Sequence, residues 1–462
     1  MPFPSAFEQR MQRLLGEDYA AFAAAYDAPL ARGVRVNTLK ISTTAFCERF
    51  PFALTKAPFA ADGYYTDEGW KAGVEPWHHG GAYYMQEPSA MSAVTVLAPQ
   101  KHERVLDLCA APGGKSTQIA AALAGTGLLW SNEYVKSRAL ILAQNIERCG
   151  VANAVVSNMD TQVLCRKLAG QFDAVLADVP CSGEGMFRKE PDALAMWSEE
   201  NIAHCVARGR DILEAAAEAL RDGGRLVYST CTFAPEENEC QIAAFLIAHP
   251  EFSFEPITVD WGRPAFSWER VASFAPQVAG ENIPTHYARR ILPQDGGEGH
   301  FIALLRKNGD GAVPTTAARA AKADKNAAAC RALWEDCFAT PPAGELVTVG
   351  DTVRLLPPAM PSADGLYIIS AGVAAATVCR DRLEPHHVAF AAQQPQNCRR
   401  VLNLTRDDPR TAAFLRGEAV TAPTDLVGWT AVAVDGVVVG FGKVSGGTLK
   451  NRYPKGLRLR QG

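Results

Sequence analysis

The chain has 462 residues, of which 48% are hydrophobic and 21% charged, with a formal net charge of −4. That balance is the one of a soluble globular protein, and the length predicts about three domains. No apolar run approaches the roughly 18 residues of a membrane span. The segment Met1-Pro2-Phe3-Pro4-Ser5-Ala6-Phe7-Glu8 has neither the basic patch nor the apolar stretch of a signal peptide, so a cytoplasmic location is expected. Twelve cysteines scattered over such a chain are expected to be free thiols. No two form a Cys-x-x-Cys pair and no Cys/His cluster has zinc spacing, so no metal is expected.

In chain order, Phe7 to Ala24 has helical apolar spacing and Val34 to Leu39 alternates like a strand. Gly63 to Tyr84, rich in Gly, Trp, Tyr and His, reads as irregular. Residues 1–90 are thus set apart as an amino-terminal unit. From there to residue 307 strands and helices alternate. Strands are predicted at Arg104–Leu108, Leu128–Trp130, Ala154–Ser157, Phe172–Asp178, Arg225–Cys231 and His300–Arg306. Helices are predicted at Ser116–Leu123, Lys136–Cys149, Glu199–Leu220 (stopped by Asp222-Gly223-Gly224) and Pro235–Ala248. Repeated strand–helix units imply an α/β fold with an open parallel sheet covered on both faces. Residues 308–326 read as a linker, 327–385 as a small middle domain and 386–462 as a second β-rich domain. In the last of these, Asp435-Gly436 between two valine-rich runs signals a hairpin.

Three segments carry chemistry. Asp107-Leu108-Cys109-Ala110-Ala111-Pro112-Gly113-Gly114-Lys115 joins a strand to a helix, and its small residues let the backbone approach a ligand closely. Glu133 follows the next strand, where a carboxylate can accept both hydrogen bonds of a ribose diol, and Asp160 follows the one after. The loop is neither a dinucleotide nor a triphosphate glycine pattern, so a nucleoside without phosphate fits, and S-adenosyl-L-methionine is such a ligand. The other two segments are Asp178-Val179-Pro180-Cys181-Ser182-Gly183, with Gly183 and Gly185 taken to admit substrate, and Tyr228-Ser229-Thr230-Cys231-Thr232. If their strands are neighbours, about 4.8 Å apart, both thiols face one cleft. A helix starting near Pro235 would favour a thiolate at Cys231.

Thiols beside a methyl-donor site have a chemical rationale. Carbon 5 of cytosine is too poor a nucleophile to take a methyl group directly, and thiolate addition at carbon 6 activates it. Asp178 can bond the pyrimidine edge near N3. Amino-group methylation uses Asp/Asn-Pro-Pro followed by an aromatic, which Asp178-Val179-Pro180-Cys181 lacks, so carbon is the expected acceptor. These residues leave open which cysteine attacks.

Together, Asp107 to Lys115, Asp178 to Gly185 and Tyr228 to Cys231 resemble the Nop/Sun family of RNA cytosine-5 methyltransferases, and Arg35-Val36-Asn37-Thr38-Leu39 extends the resemblance to the amino-terminal unit. Cys181 to Lys189 and Leu449 to Pro454 are similar, more narrowly, to the F-type branch acting on bacterial small-subunit ribosomal RNA. The resemblance implies a class I methyltransferase fold, a seven-stranded sheet with its last strand antiparallel, preceded by an α+β extension and followed by a PUA-like RNA-binding module. It implies Cys231 as nucleophile and Cys181 as the product-release cysteine. Donor contacts are implied from Cys109, Ala110, Ala111, Pro112, Gly113, Gly114, Lys115, Glu133, Asp160 and Asp178. Val179 stands where alanine is usual.

From Gly436 onward there is no acidic residue, while Lys443, Lys450, Arg452, Lys455, Arg458 and Arg460 are basic. A local basic face on a mildly acidic protein suits an RNA contact, assigned to Lys443, Lys450, Arg452 and Lys455. The expected protein is a monomeric, metal-free enzyme that methylates cytosine in ribosomal RNA. A transfer RNA methyltransferase of the same family and a catalytically silent assembly factor are the alternatives.

Overall fold

The computed structural model describes residues 3–459 except 68, 276, 277, 279–282, 312–323, 359 and 381. Arg460 and residues 312–323 of the expected linker therefore lie outside the described residues.

The expected helix over Phe7–Ala24 is two helices, Ser5–Leu15 and Tyr19–Ala25, because Gly16 turns the chain at φ +57°. Their apolar faces bury Phe7, Met11, Leu14 and Phe22 against Phe187, Trp197 and Phe233 of the central region. The first strand stops at Val36. It is β1 (Gly33–Val36), in an antiparallel sheet with β2 (Leu54–Lys56), β3 (Gly63–Thr66) and β4 (Tyr83–Met85) in the order β2–β3–β1–β4. The irregular reading of Gly63 to Tyr84 is thus corrected. Tyr64, Tyr65, Tyr83 and Tyr84 pair across β1 as aromatic residues do in strands, and Pro76–His79 is a helical turn.

In the central region β5 (Arg104–Asp107), β6 (Leu128–Asn132), β7 (Ala154–Ser157), β8 (Phe172–Asp178) and β9 (Leu220–Thr230) run parallel in the order β7–β6–β5–β8–β9. Their Val, Leu and Ala side chains are buried on both faces, as strands sandwiched by helices must be. β10 (Phe252–Glu255), β11 (Arg263–Pro264) and β12 (Arg289–Ile291) precede β13 (His300–Lys307), which lies antiparallel against β9. β10 pairs antiparallel with one half of β13, completing the expected seven strands, while β12 and β11 extend the other half.

Two boundaries differ from expectation. The long helix, Glu199–Ala219, ends before the glycines, and Leu220 already pairs with Phe172. Residues 221–224 loop out of register between Leu220 and Arg225, so Gly223 at φ +71° serves a bulge and not a helix stop. The helix expected from Pro235 is a 3₁₀ turn, Pro235–Glu237, then a break at Asn238, then a helix over Glu239–Ala248. Asn238 is held out of helical geometry by accepting from Thr230 Oγ1 (2.7 Å) and donating to the Thr232 carbonyl (2.9 Å).

After a helix at Ala327–Cys337 come β14 (Leu346–Val349), β15 (Thr352–Leu355), β16 (Ile368–Ala371), β17 (Val373–Cys379) and β18 (Arg382–Pro385). Four of them form the antiparallel sheet β14–β15–β17–β18, whereas β16 pairs antiparallel with β7 and so becomes a strand of the central sheet. The last sheet, β19–β21–β22–β23–β20, comprises β19 (Val401–Leu404), β20 (Val420–Thr421), β21 (Gly428–Val434), β22 (Val437–Ser445) and β23 (Thr448–Asn451). Its hairpin turns at Asp435 (φ +46°) and Gly436 (φ +80°), the two left-handed positions a type I′ turn requires. The two ends of the chain meet: Trp77 Nε1 donates to the Val434 carbonyl at 2.9 Å, Arg406 pairs with Glu75 at 2.9 Å, and buried Lys40 donates to the Ala391 carbonyl.

Candidate active site

At β5 the strand order reverses, with β6 on one side and β8 on the other, and such a switch point opens a crevice at the carboxyl ends of the strands. A cleft of about 1080 Å³ lies there. Its floor is lined by Cys109 and Ala111 after β5, Glu133 after β6, Asp160 after β7, Asp178 and Cys181 after β8, and Cys231 after β9. From β6 to β9 is three strand spacings, about 14 Å. That span accommodates a nucleoside at the Glu133 end and a second ring at the thiol end.

The loop after β5 has two faces. Cys109 and Ala111 line the cleft, whereas Pro112, Gly113 and Gly114 turn toward the protein and, with Ala110, do not line it. The Pro112 carbonyl accepts from Asn145 Nδ2 (2.8 Å) and Tyr84 Oη (3.3 Å), and Gly114 accepts from buried Arg35 (3.3 Å). Arg35 also donates to Thr117 Oγ1 at 2.7 Å, so β1 is docked on the helix that carries the loop. Gly113 takes φ +114°, and a Cβ there would come within 3.3 Å of Leu142. Behind the loop, Asp107 Oδ2 accepts from Ser116 at 2.6 Å while Oδ1 has no partner among the described residues. Burial pushes the Asp107 carboxyl up to about 7 despite the Ser116 hydrogen bond. Burial also holds the Cys109 thiol well above its ordinary value, so it stays protonated.

At the nucleoside end Glu133 is 4% exposed. Its Oε1 accepts from Val135 N at 2.9 Å, and among the described residues its Oε2 has only the distant Arg138 at 3.7 Å. One carboxylate oxygen therefore remains for a ligand. Asp160 is exposed at the cleft rim and caps the helix Thr161–Lys167 by accepting from Val163 N at 3.1 Å.

At the other end β8 and β9 are parallel neighbours, with Asp178 opposite Ser229, and the loops beyond them bring Cys181 Sγ to 3.4 Å from Cys231 Sγ. Lys115 reaches over from its helix to bind Asp178 Oδ2 at 2.7 Å, and Ser229 donates to Oδ1 at 2.7 Å. Burial opposes charge on Asp178, but Lys115, His300 and these bonds hold its carboxyl below the usual range. His300, 3.8 Å from Asp178, is pushed down to about 4 by burial and is neutral at pH 7. The bond to Cys231, with burial next, holds the Cys181 thiol well above its ordinary value. Cys181 thus keeps its proton and can donate it as a hydrogen bond to the Cys231 sulfur. The cation near Cys231 is Lys115, in place of the helix terminus expected near Pro235, since the helix starts at Glu239.

Gly185 departs from expectation. A Cβ there would sit 2.9 Å from the Cys231 carbonyl, which Gly185 N already binds at 2.8 Å, so this glycine permits packing under Cys231 and not entry of substrate. Gly183 has open space around it. Sequence inspection missed Glu184 and Glu237, whose carboxylates turn inward behind the cysteines. It also missed the wall formed by Met186, Ala193, Met196, Asn201 and Arg208. Spacing was a usable signal for part of that wall, since Asn201 and Arg208 lie seven residues apart on one helix face.

Outside the cleft lining, Lys443 and Lys450 stand opposite each other on β22 and β23, both exposed. Lys443 lies 5.1 Å and Arg452 5.9 Å from the Trp429 ring centroid, and Arg452 also pairs with Glu384 at 3.2 Å. Lys455 is exposed in the following 3₁₀ turn. All cysteines of the chain are free thiols. Among the described residues no group of three or more His, Cys, Asp or Glu is arranged to hold a metal, and no helix is long and apolar enough to cross a membrane.

Comparison with known proteins extends these observations. Residues 94–306 match the family 16S rRNA methyltransferase RsmB/F, residues 3–88 the N-terminal domain of 16S rRNA methyltransferase RsmF, and residues 401–459 the methyltransferase RsmF PUA domain. The chain is 34% identical to ribosomal RNA small subunit methyltransferase F of Klebsiella pneumoniae, over 98% of this chain and 96% of that protein. It is 40% identical to the protein of the same name from Citrobacter koseri over 54% of each. The crystal structure of a methyltransferase homolog protein from Pyrococcus horikoshii is 30% identical, with a TM-score of 0.58, covering 66% of this chain and 95% of that one. With its class I methyltransferase sheet, this chain belongs to the 16S rRNA methyltransferase RsmB/F family.

Proposed function

We propose that this protein transfers a methyl group from S-adenosyl-L-methionine to carbon 5 of a cytosine in 16S ribosomal RNA. The observation that carries this is the thiol pair 3.4 Å apart at one end of a cleft whose other end presents Glu133, with one carboxylate oxygen hydrogen-bonded to Val135 N and the other 3.7 Å from Arg138. Cofactor fit rests on three features: that second oxygen, the cleft-lining Cys109 and Ala111, and a cleft long enough to take a nucleoside between Glu133 and the thiols. When bound, S-adenosyl-L-methionine supplies an electrophilic methyl group on a sulfonium.

The chain's own residues supply the rest. Cys231, as thiolate, adds to carbon 6 and makes carbon 5 nucleophilic. Asp178, fixed by Lys115 and Ser229, accepts a hydrogen bond from the exocyclic amino group beside N3 on the pyrimidine edge, and the Lys115 ammonium offsets negative charge that develops there. After transfer the carbon 5 proton leaves to solvent, and the carbon–sulfur bond breaks with its electrons returning to Cys231. Cys181, still a thiol, assists that departure by hydrogen-bonding the leaving sulfur.

We read the chain as an RNA-binding extension (1–90), a methyltransferase domain (91–307), a linker (308–326), a middle domain (327–385) and a PUA-like domain (386–462), the last two sharing one apolar core among the described residues. Lys443, Lys450, Arg452 and Lys455 of the last would contact RNA in the bacterial cytoplasm. Bisulfite sequencing of total RNA with and without the gene tests the whole. Loss of one modified cytosine in 16S RNA supports it. Loss confined to transfer RNA overturns the substrate, and no loss anywhere overturns the activity.

A further inference from the structure

Behind the two cysteines four side-chain oxygens stand in a row. Glu237 Oε1 is 2.5 Å from Ser182 Oγ, Ser182 Oγ is 2.7 Å from Thr232 Oγ1, and Thr232 Oγ1 is 3.0 Å from Glu184 Oε2. All four side chains are buried, and Ser182 and Thr232 each follow one of the cysteines directly in sequence. Each of the three contacts needs one hydrogen between its oxygens. The two hydroxyls supply two. If both carboxyl groups were ionised, Ser182 would donate to Glu237 and Thr232 to Glu184, leaving two oxygens 2.7 Å apart with nothing between them. One carboxyl group must carry the third hydrogen.

The surroundings decide which one. Glu184 already receives Trp197 Nε1 (2.7 Å), Phe233 N (2.8 Å) and Thr232, and Arg10 lies within its field. Among the described residues the Glu237 carboxyl receives only Ser182, from its amide (3.0 Å) and hydroxyl. The groups facing Glu237 are Glu184 and Glu236, the thiols of Cys181 and Cys205, and Tyr228, whose hydroxyl donates to the Glu237 backbone carbonyl at 2.7 Å. Glu236 is itself paired with Arg10 at 2.8 Å, and no cation bonds the Glu237 carboxyl among the described residues.

We propose that Glu237 carries the missing proton and that Glu237 and Glu184 are positioning residues. The ordered chain Glu237–Ser182–Thr232–Glu184 then ties the Cys181 loop to the Cys231 loop and sets the separation of the two sulfurs. The proposal rests on the cytosine-methylating reading of the site. Burial pushes the Glu237 carboxyl up to about 8. The chain therefore holds through neutral pH and breaks as pH rises through that value, when Ser182 and Thr232 lose their shared hydrogen.

Gln at position 237 supplies the hydrogen permanently from its amide, whereas Ala removes it. The full chain is assayed with S-adenosyl-L-methionine and unmethylated small ribosomal subunits or 16S RNA from pH 6.5 to 9.5. E237Q is expected to keep kcat within about threefold at neutral pH and to lack the fall expected of wild type near pH 8. E237A and T232V are expected to lose on the order of tenfold to a hundredfold in kcat, with KM for RNA and affinity for S-adenosyl-L-methionine unchanged. Infrared difference spectroscopy of wild type against E237Q at pH 7 should show the carbonyl band of one protonated carboxylic acid, lost in the variant. Equal kcat for E237A and E237Q, or no such band, overturns the proposal. The band reads the proton without turnover, so an inactive wild type counts against the methylation reading while the band still decides the proton.

Discussion

At the cleft, Asp178, Cys181 and Cys231 are fixed by strand ends and by short hydrogen bonds, with Lys115 packed behind Asp178. On the carboxyl-terminal sheet, Lys443 and Lys450 stand side by side with their ammonium groups in solvent. Both regions concentrate charge, but on opposite physical terms. A shielded ion pair acts in a low-dielectric setting, so removing one member leaves the other uncompensated and the loss is large. Exposed cations are screened by salt, act nearly independently, and are each worth little alone. The first arrangement suits bond-making, which needs one geometry. The second suits holding a flexible polyanion.

Substitutions can break this contrast or sharpen it. The largest effect belongs to C231A, which should reduce methyl transfer by on the order of 10⁴-fold while leaving S-adenosyl-L-methionine affinity intact, measured by calorimetry. Substantial turnover by that variant would overturn the nucleophile assignment. Next, C181A should stop turnover after the first addition and accumulate a denaturant-resistant enzyme–RNA band. If C231A gave that band instead, the two roles would be exchanged.

K115A should lower kcat by about 10²-fold and raise the pH at which activity is lost on the acid side, because Asp178 loses the cation that depresses its carboxyl. The sign follows from that depression. Ionised Asp178 contributes stability above its ordinary value of 3.8, and the contribution is lost as pH falls through its lower folded value. K115A should forfeit it, seen as a smaller difference between neutral and acid melting temperatures. R188A, which leaves buried Glu298 without its cation in a pair at 2.8 Å, should cost about 3–5 kcal/mol in denaturant titrations and loosen the amino-terminal helices.

The smallest effect is expected on the exposed face. Neutralising Lys443, Lys450 and Lys455 together should weaken RNA binding by on the order of tenfold at low salt and reduce the slope of log affinity against log salt by about 2–3. kcat at saturating RNA should hold. A drop in kcat would mean that the face is coupled to the cleft and that the contrast fails.

Local sequence was enough wherever chemistry and geometry coincide on one short segment. The loop after β5, the two cysteines at the ends of β8 and β9, and the Asp435-Gly436 turn are all of this kind. Each is a strand end followed by residues whose backbone needs are written in their identity. Glu184 and Glu237 were not legible, because nothing in Cys-Ser-Gly-Glu or Pro-Glu-Glu-Asn tells a solvated carboxylate from one turned inward. Their burial depends on Thr232, Ser182 and Trp197, contributed by other segments. Gly223 and Gly224 misled for a related reason. A glycine pair after a helix stops it or bulges a strand, and the choice was made by Phe172 pairing with Leu220 across the sheet.

β16 has a practical consequence for taking the protein apart. Val155, Val156 and Ser157 of β7 are wholly or almost wholly buried, and this strand forms the flank of the central sheet that β16 covers. A shortened chain ending before Ile368 would present that apolar flank as an unpaired row of amide and carbonyl groups, a template for sticking to other copies. A cut after Pro385, by contrast, leaves the flank sheathed. Any attempt to separate catalysis from RNA recognition by truncation must therefore keep β16, or solubility will fail before activity can be read.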